Sequence, residues 1–330
     1  MTTPEGGHKL SVFVLVLATA LIASGLSTAS ASDPRPLIID MLMGEPVPME
    51  MMLEDLVTVR IVYIGEIHSI ARHHAVQAEL LRLLADRDTK PALGMEMFSQ
   101  EQQPVLDRWQ QGKDDVGQLI RDLGQEHWTN LKDYESVLVL ARDRGIPIAG
   151  LTASDDLVRK VSRGGVASLT ESERRMLPTG YDTINESSER LLRLRLRVHR
   201  AFQEKGLENV LVAQSIRDAS MAQAVVRFLG SQKGQDRLMV VIAGAGHVHY
   251  GFGIPDRVKS HIDVPYRILL ITESGELVLS EAEKRQSVPV HITHEDLRFI
   301  RSPIADYLHV TPLQALEAHP RDQPAKPNKR

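Results

Sequence analysis

The chain has 330 residues, 42% hydrophobic and 4% aromatic, with 39 Lys and Arg against 43 Asp and Glu for a formal net charge of −4. That balance argues against a nucleic-acid partner, which calls for a basic excess. The chain contains no cysteine, so disulfides, thiolate metal sites and a lipoprotein anchor are excluded, and any metal or haem falls to His, Asp, Glu, Tyr or Met.

Residues 1–31 read as a signal peptide: Leu10–Ile22 is apolar and Ala29-Ser30-Ala31 is a small-x-small cleavage pattern. The expectation is an exported protein of the periplasm or cell envelope, with retention of the segment as an anchor the alternative. Removal takes one acid, Glu5, and one base, Lys9, and leaves the net charge at −4. Residues 32–312 are expected to form a single α/β domain, and 313–330, rich in Pro and polar groups, a disordered tail.

After the short apolar piece Pro36–Met43 comes a Met-rich amphipathic stretch, Pro46–Leu56. Its methionines, Met49, Met51 and Met52, with Met41 and Met43, suit an adaptable packing face better than a soft-metal site. Alternation then begins. Strand-like Val59–Gly65 leads into a helix over Ile70–Asp86, strand-like Ala92–Phe98 into helical Glu101–Gln111, and helical Tyr134–Arg144 into the strand Pro147–Leu151. These are βαβ units of a mostly parallel sheet flanked by helices. From Ser154 to Gly230 no strand is predicted. Leu157–Val161, Glu171–Leu177, Ser187–Phe202 and Leu207–Leu229 read as a helical insert, about 154–230, between the two halves of the sheet. Its third helix carries Arg190, Arg193, Arg195, Arg197 and Arg200, either a solvated face or a set that meets ligand carboxylates such as haem propionates. The sheet resumes with Arg237–Ala243, helical Pro255–Ile262 and Tyr266–Thr272. A small hairpin is predicted around Ser274-Gly275 and a last strand at Ile304–Thr311.

Two Gly-x-x-His corners close apolar strands: Gly65-Glu66-Ile67-His68 and Gly244-Ala245-Gly246-His247. A glycine lets the chain turn where the strand ends, and the histidine is presented at the carboxyl edge of the sheet, where ligands of open α/β sheets bind. The first corner adds His73 and His74, so three histidines and Glu66 fall within nine residues. His73 and His74 are equally explained as helix residues bonded to backbone or solvent. Glu96 is the one charge in the run Leu93–Phe98, and a carboxylate there is costly unless a cation, a metal or hydrogen-bond donors meet it. The second corner continues Val248-His249-Tyr250-Gly251-Phe252-Gly253. Its glycines admit a ligand close to the backbone, and Tyr250 is a candidate for ferric haem iron or else a core tyrosine. No Gly-x-Ser-x-Gly elbow, P-loop or His-Glu-x-x-His is present.

Gly65-Glu66-x-His68 with His73-His74, Gly94-Met95-Glu96-Met97-Phe98, Gln102-Gln103-Pro104 and Ala243-Gly244-x-Gly246-His247-Val248-x-Tyr250-Gly251-x-Gly253-Ile254-Pro255 together resemble the ChaN-like haem-binding uptake proteins of the Tiki superfamily. So do Gly145-Ile146-Pro147, Gly164-Gly165, Leu177-Pro178 and Ala305-Asp306-Tyr307. The resemblance implies an exported protein of haem or iron uptake, working with the uptake machinery of the envelope, with haem bound cofacially in a homodimer by tyrosine. Tyr250 is the first choice of iron ligand and Tyr134 the second, with His249, His73 and His74 as further cofactor contacts. The resemblance also extends to Tiki-type metalloproteases and erythromycin-esterase-like enzymes. That kinship implies the alternative of a metal-dependent hydrolase in which His68, Glu96 and His247 hold Mn, Co or Zn and Glu66 is the general base. Two departures stand out. Arg217-Asp218-Ala219 occupies the place of Trp-Asp-Glu, and His249 the place of a small residue.

Overall fold

Successive residues of the apolar runs point to opposite faces of one sheet, and both faces are covered. A computed structural model describes residues 36–124, 128–197, 206–273, 284–285 and 290–311. The predicted leader over 1–31, the tail over 313–330 and the hairpin at Ser274-Gly275 lie outside the described residues.

Eight strands form the sheet: β1 (Leu37–Asp40), β2 (Glu45–Val47), β3 (Ile61–Glu66), β4 (Pro91–Ser99), β5 (Ile148–Thr152), β6 (Leu238–Gly244), β7 (Tyr266–Glu273) and β8 (Tyr307–Thr311). Their order is β2-β1-β8-β7-β3-β6-β4-β5. All neighbours from β8 to β5 are parallel, and β1 runs antiparallel to β8 and β2. The helices are α1 (Met49–Leu56), α2 (Ala71–Ala85), α3 (Gln103–Gln111), α4 (Val116–Leu123), α5 (Glu135–Asp143), α6 (Asp155–Gly164), α7 (Glu171–Arg174), α8 (Glu186–Leu196), α9 (Leu207–Gly230) and α10 (Ile254–Lys259). The expected α/β fold with a mostly parallel sheet is the one that forms. Helix α4, absent from the predicted elements, starts where the Asp115 side chain accepts from Gln118 N–H at 2.7 Å.

Val62, Ile64, Leu93, Met95, Val240, Ile242, Leu269 and Ile271 face α1 to α5. Ile61, Tyr63, Met239, Val241, Ala243, Ile268 and Leu270 face α9 and α10. Helices α6 to α9 form the insert, and α6 packs Leu157, Val158 and Val161 against Ala213 and Ile216 of α9. The two halves do not simply lie side by side. Strand β6, which follows the insert, enters between β3 and β4. It pairs Gly65 with Ala243 on one side and Met95 with Ile242 on the other. Both corners and Glu96 therefore end on the same edge, with the second corner in the middle.

The corner glycines serve closeness rather than an unusual turn. Gly244 has φ −55°, open to any residue. A Cβ on Gly65 would stand 2.5 Å from Leu270 Cδ2 and 2.8 Å from Val248 Cγ2. Gly65→Ala is expected to cost about 1–3 kcal/mol through overpacking, read as a lower urea midpoint. Gly230→Ala, where nothing lies within 4 Å, should stay within about 1 kcal/mol of the parent.

Candidate functional site

Glu96 comes off β4 into the space above β6, 3% exposed. It is held there by three groups from different parts of the chain. Gly244 N–H donates to Oε2 at 2.7 Å, His247 Nε2 lies 3.3 Å from Oε1, and His68 Nε2 lies 3.7 Å from Oε2. A Cβ on Gly244 would stand 2.6 Å from His68 Nε2, so the glycine of the second corner clears room for the histidine of the first.

Each of the two histidines has its other nitrogen on a second acid. His68 Nδ1 sits 2.8 Å from Glu66 Oε1, and His247 Nδ1 pairs with Asp218 of α9. The result is an alternating chain, Asp218–His247–Glu96–His68–Glu66, laid across the sheet edge. Glu66, 2% exposed, also accepts from Tyr134 Oη and Gln77 Nε2 and lies 3.3 Å from His74 Nε2. Beside it Ile67 N–H donates to His73 Nδ1 at 3.0 Å, and His73 Nε2 lies 3.3 Å from Glu273 Oε1. The Trp128 ring meets His68 edge-on at 5.0 Å between centroids, and Asn130 Nδ2 donates to His68 O at 2.6 Å.

Charge is stored here against the cost of burial. Burial raises the pKa of Glu96, but His247, His68 and the Gly244 N–H outweigh it and hold the carboxyl far below its usual range. Burial likewise opposes the charge of Glu66, yet hydrogen bonds from His68, His74 and Tyr134 bring it down to about 2. Burial would neutralise His247, but Glu96 and Asp218 push it up to about 10. The Tyr134 phenol is driven far above its usual range by burial and by the Glu66 charge.

The second corner turns twice, in single helical turns over Ala245–His247 and His249–Gly251. Tyr250, inside the second turn, has φ 61°, a left-handed conformation that side chains avoid. Its N–H donates to Ile304 O at 2.8 Å, and its ring stands 6.1 Å from that of His249 and 6.2 Å from that of Phe252. Neither the Tyr250 hydroxyl nor the His249 ring makes a hydrogen bond among the described residues. Burial and the nearby Arg195 lower His249 to about 3, so its ring is neutral and keeps a lone pair.

His68, Glu96 and His247 thus come together at one edge of the sheet. They meet as direct acid–imidazole contacts, and among the described residues no group of three or more His, Asp or Glu stands in a metal-holding arrangement. Tyr250 and His249 are part-buried on the glycine turn, with polar side-chain atoms that make no hydrogen bond among the described residues. His73, His74 and Tyr134 lie elsewhere. All three are at most 1% exposed; His73 serves Glu273, His74 and the Tyr134 hydroxyl serve Glu66, and the His74 and Tyr134 rings stack at 3.9 Å. Burial removes them from any open face. Glu66 is not placed as a general base either, since His68, Gln77 and Tyr134 hydrogen-bond to its oxygens, His74 stands beside them and its pKa is low. Asp218 was passed over. Its signal was the same as that of Glu96: one acid in a run of small and apolar residues, Ala219-Ser220-Met221-Ala222.

Residues 52–258 match the family model described as haem-binding uptake, Tiki superfamily, ChaN. The chain belongs to this family. A ChaN structure from Campylobacter jejuni, described as showing cofacial haem binding, superposes with a TM-score of 0.59 over 83% of this chain and 95% of that one, at 16% identity. The shared ChaN fold is what that likeness shows. An erythromycin esterase structure aligns over 72% of this chain and 77% of its own with a TM-score of 0.44 at 13% identity. The RETICULATA-RELATED 5 protein of Arabidopsis thaliana, a chloroplastic protein, is 26% identical over 253 residues, 70% of this ChaN-family chain. The match spans about a third (34%) of that relative's length. No helix among the described residues is long and apolar enough to cross a membrane.

The acid–histidine chain has a definite pH signature. The raised pKa of His247 contributes stability that is full below the unfolded value near 6.5 and is lost as pH rises through about 10. The lowered pKa of Glu66 contributes stability that is full above its ordinary 4.5 and is lost as pH falls through about 2. Unfolding midpoints should therefore be flat from about pH 4.5 to 6.5 and fall on both sides. Asp218→Asn, which strips a buried imidazolium of one partner, should cost about 3 kcal/mol at pH 7 and reduce the decline between pH 7 and 10.

Proposed function

We propose that this chain binds haem at the carboxyl edge of its sheet, with Tyr250 as the iron ligand, and serves haem or iron uptake as an exported protein. Tyr250 carries the reading. It holds a left-handed backbone conformation on a turn bracketed by glycines, at the edge where the sheet receives ligands, with a phenol that nothing in the described fold occupies. A phenolate is a good ligand for ferric iron, and the neutral His249 on the same turn is a second donor. Membership of a haem-binding family supports the same ligand. The Campylobacter jejuni relative binds haem cofacially, which supports a homodimer with haem between two copies. Export is supported by Leu10–Ile22 and Ala29-Ser30-Ala31, with 32–312 as the single domain that remains and the envelope uptake machinery as its partner.

Hemin titrated into the purified protein should give a saturable Soret shift. Tyr250→Phe should weaken binding by more than about tenfold, the scale of one lost metal contact. His249→Ala should weaken it less, and Tyr134→Phe should leave the spectrum unchanged. Absence of saturation in the parent protein would overturn the reading.

One observation favours a second reading, a hydrolase. His68 and His247 each have Nδ1 held by a carboxylate and Nε2 turned toward Glu96, the arrangement that orients imidazoles for metal or for proton transfer. A divalent ion such as Mn, Co or Zn on His68, Glu96 and His247 would supply a Lewis acid. Glu66 and Asp218, each on the Nδ1 of one histidine, would orient the two imidazoles toward such an ion. Elemental analysis showing about one such ion per chain, with hydrolysis of an activated ester abolished by His68→Ala, would establish it. Metal-free protein with no such hydrolysis would dismiss it.

A further inference from the structure

The arginines of α8 and its end fare differently. Arg193 is fully engaged, with Nη1 and Nη2 donating to Glu208 at 2.7 and 2.8 Å and Nε to Glu189 at 2.8 Å. Arg190 lies over the Phe299 ring, 4.6 Å from its centroid. Arg197 is exposed, and Arg200 lies outside the described residues. Arg195 reaches across to the second corner. Its Nη1 donates to Gly246 O at 3.2 Å, and a Cβ on Gly246 would stand 3.0 Å from Nη2.

A guanidinium offers five N–H donors. Among the described residues Arg195 has that single acceptor and no carboxylate within ion-pair distance. Tyr250 and Asp218 are the groups whose ionised forms would favour its charge, and Asp218 is already bound to His247. A part-buried cation left this way is costly, and an anion that joins it recovers the cost. The fork of a guanidinium matches a carboxylate with two parallel bonds, which a lysine cannot reproduce.

We propose that Arg195 is the carboxylate-binding residue of this edge, taking an acid group of the same ligand whose iron Tyr250 holds. This rests on the haem reading and adds to it which group of the insert reads the ligand, and by what chemistry. Gly246 is the reason Arg195 can come so close to the turn. The insert then acts as one wall of the site, with the glycine turn as the other.

The test compares hemin with its dimethyl ester, in which both acids are capped, on the full chain and on R195Q and R195K. R195Q should weaken hemin binding about tenfold or more, the scale of a lost charge-assisted pair. The parent protein should bind the ester with a similar loss, and R195Q should not worsen it further. R195K should recover part of the hemin affinity. Thermal unfolding of R195Q checks that it folds; if it does not, the ester on the parent protein decides alone. Equal binding of hemin and ester by the parent, or undiminished hemin binding by folded R195Q, overturns the proposal and leaves the haem reading standing. No saturable hemin binding by the parent removes both, and is distinct from either result.

Discussion

A carboxylate buried on a central strand governs this structure. Glu96 cannot remain charged inside the sheet edge unless several groups converge on it. The chain answers with two histidines and one backbone N–H, drawn from β3, β6 and the loops that follow them. Each of those histidines then needs its own orientation, which Glu66 and Asp218 provide. Glu66 in turn is buried and draws in Tyr134, Gln77 and His74. One unfavourable burial thus propagates outward into a network that ties β3, β4, β6, α2 and α9 together.

The interleaved order of the sheet is what makes the network possible. Had β6 joined the outer edge, Gly244 could not have stood between the two corners, and its N–H could not have reached Glu96. The insert contributes in the same way. Helix α9 supplies Asp218 behind His247, and α8 brings Arg195 to the front of the glycine turn. The site therefore has a rigid acid–histidine floor and, beside it, a strained turn carrying Tyr250 and His249 with free donor atoms. Those are different chemical environments. The floor spends its polar atoms internally, while the Tyr250 hydroxyl and the His249 ring of the turn make no hydrogen bond among the described residues.

The alternating strands and helices are legible in the sequence to within a few residues, because both faces of a parallel sheet are covered and leave continuous apolar runs. Glu96 stood out as the one charge in such a run, and the corners as glycine–histidine pairs at strand ends. His73, His74 and Tyr134, which the resemblance implies as ligand contacts, are buried around Glu66 and Glu273 instead. For His73 and His74 the spacing was right for proximity to Glu66 but carried no information about which side of α2 faces solvent, and Tyr134 is buried in the turn before α5. Asp218 carries the same local signal as Glu96, but its part in the site depends on the packing of a helix more than a hundred residues from Glu96, which no local signal shows.

What the sequence by itself determined was the set of elements, the two corners and the buried acid between them, because periodicity and an isolated charge are local signals. Only the tertiary structure decided who pairs with whom. The position of β6 brings the corners together, the burial of α2 turns two of its histidines inward, and the approach of α8 selects Arg195 from a cluster of arginines. Those outcomes depend on non-local packing, where a residue's partner is set by strand order and helix face and not by its distance along the chain.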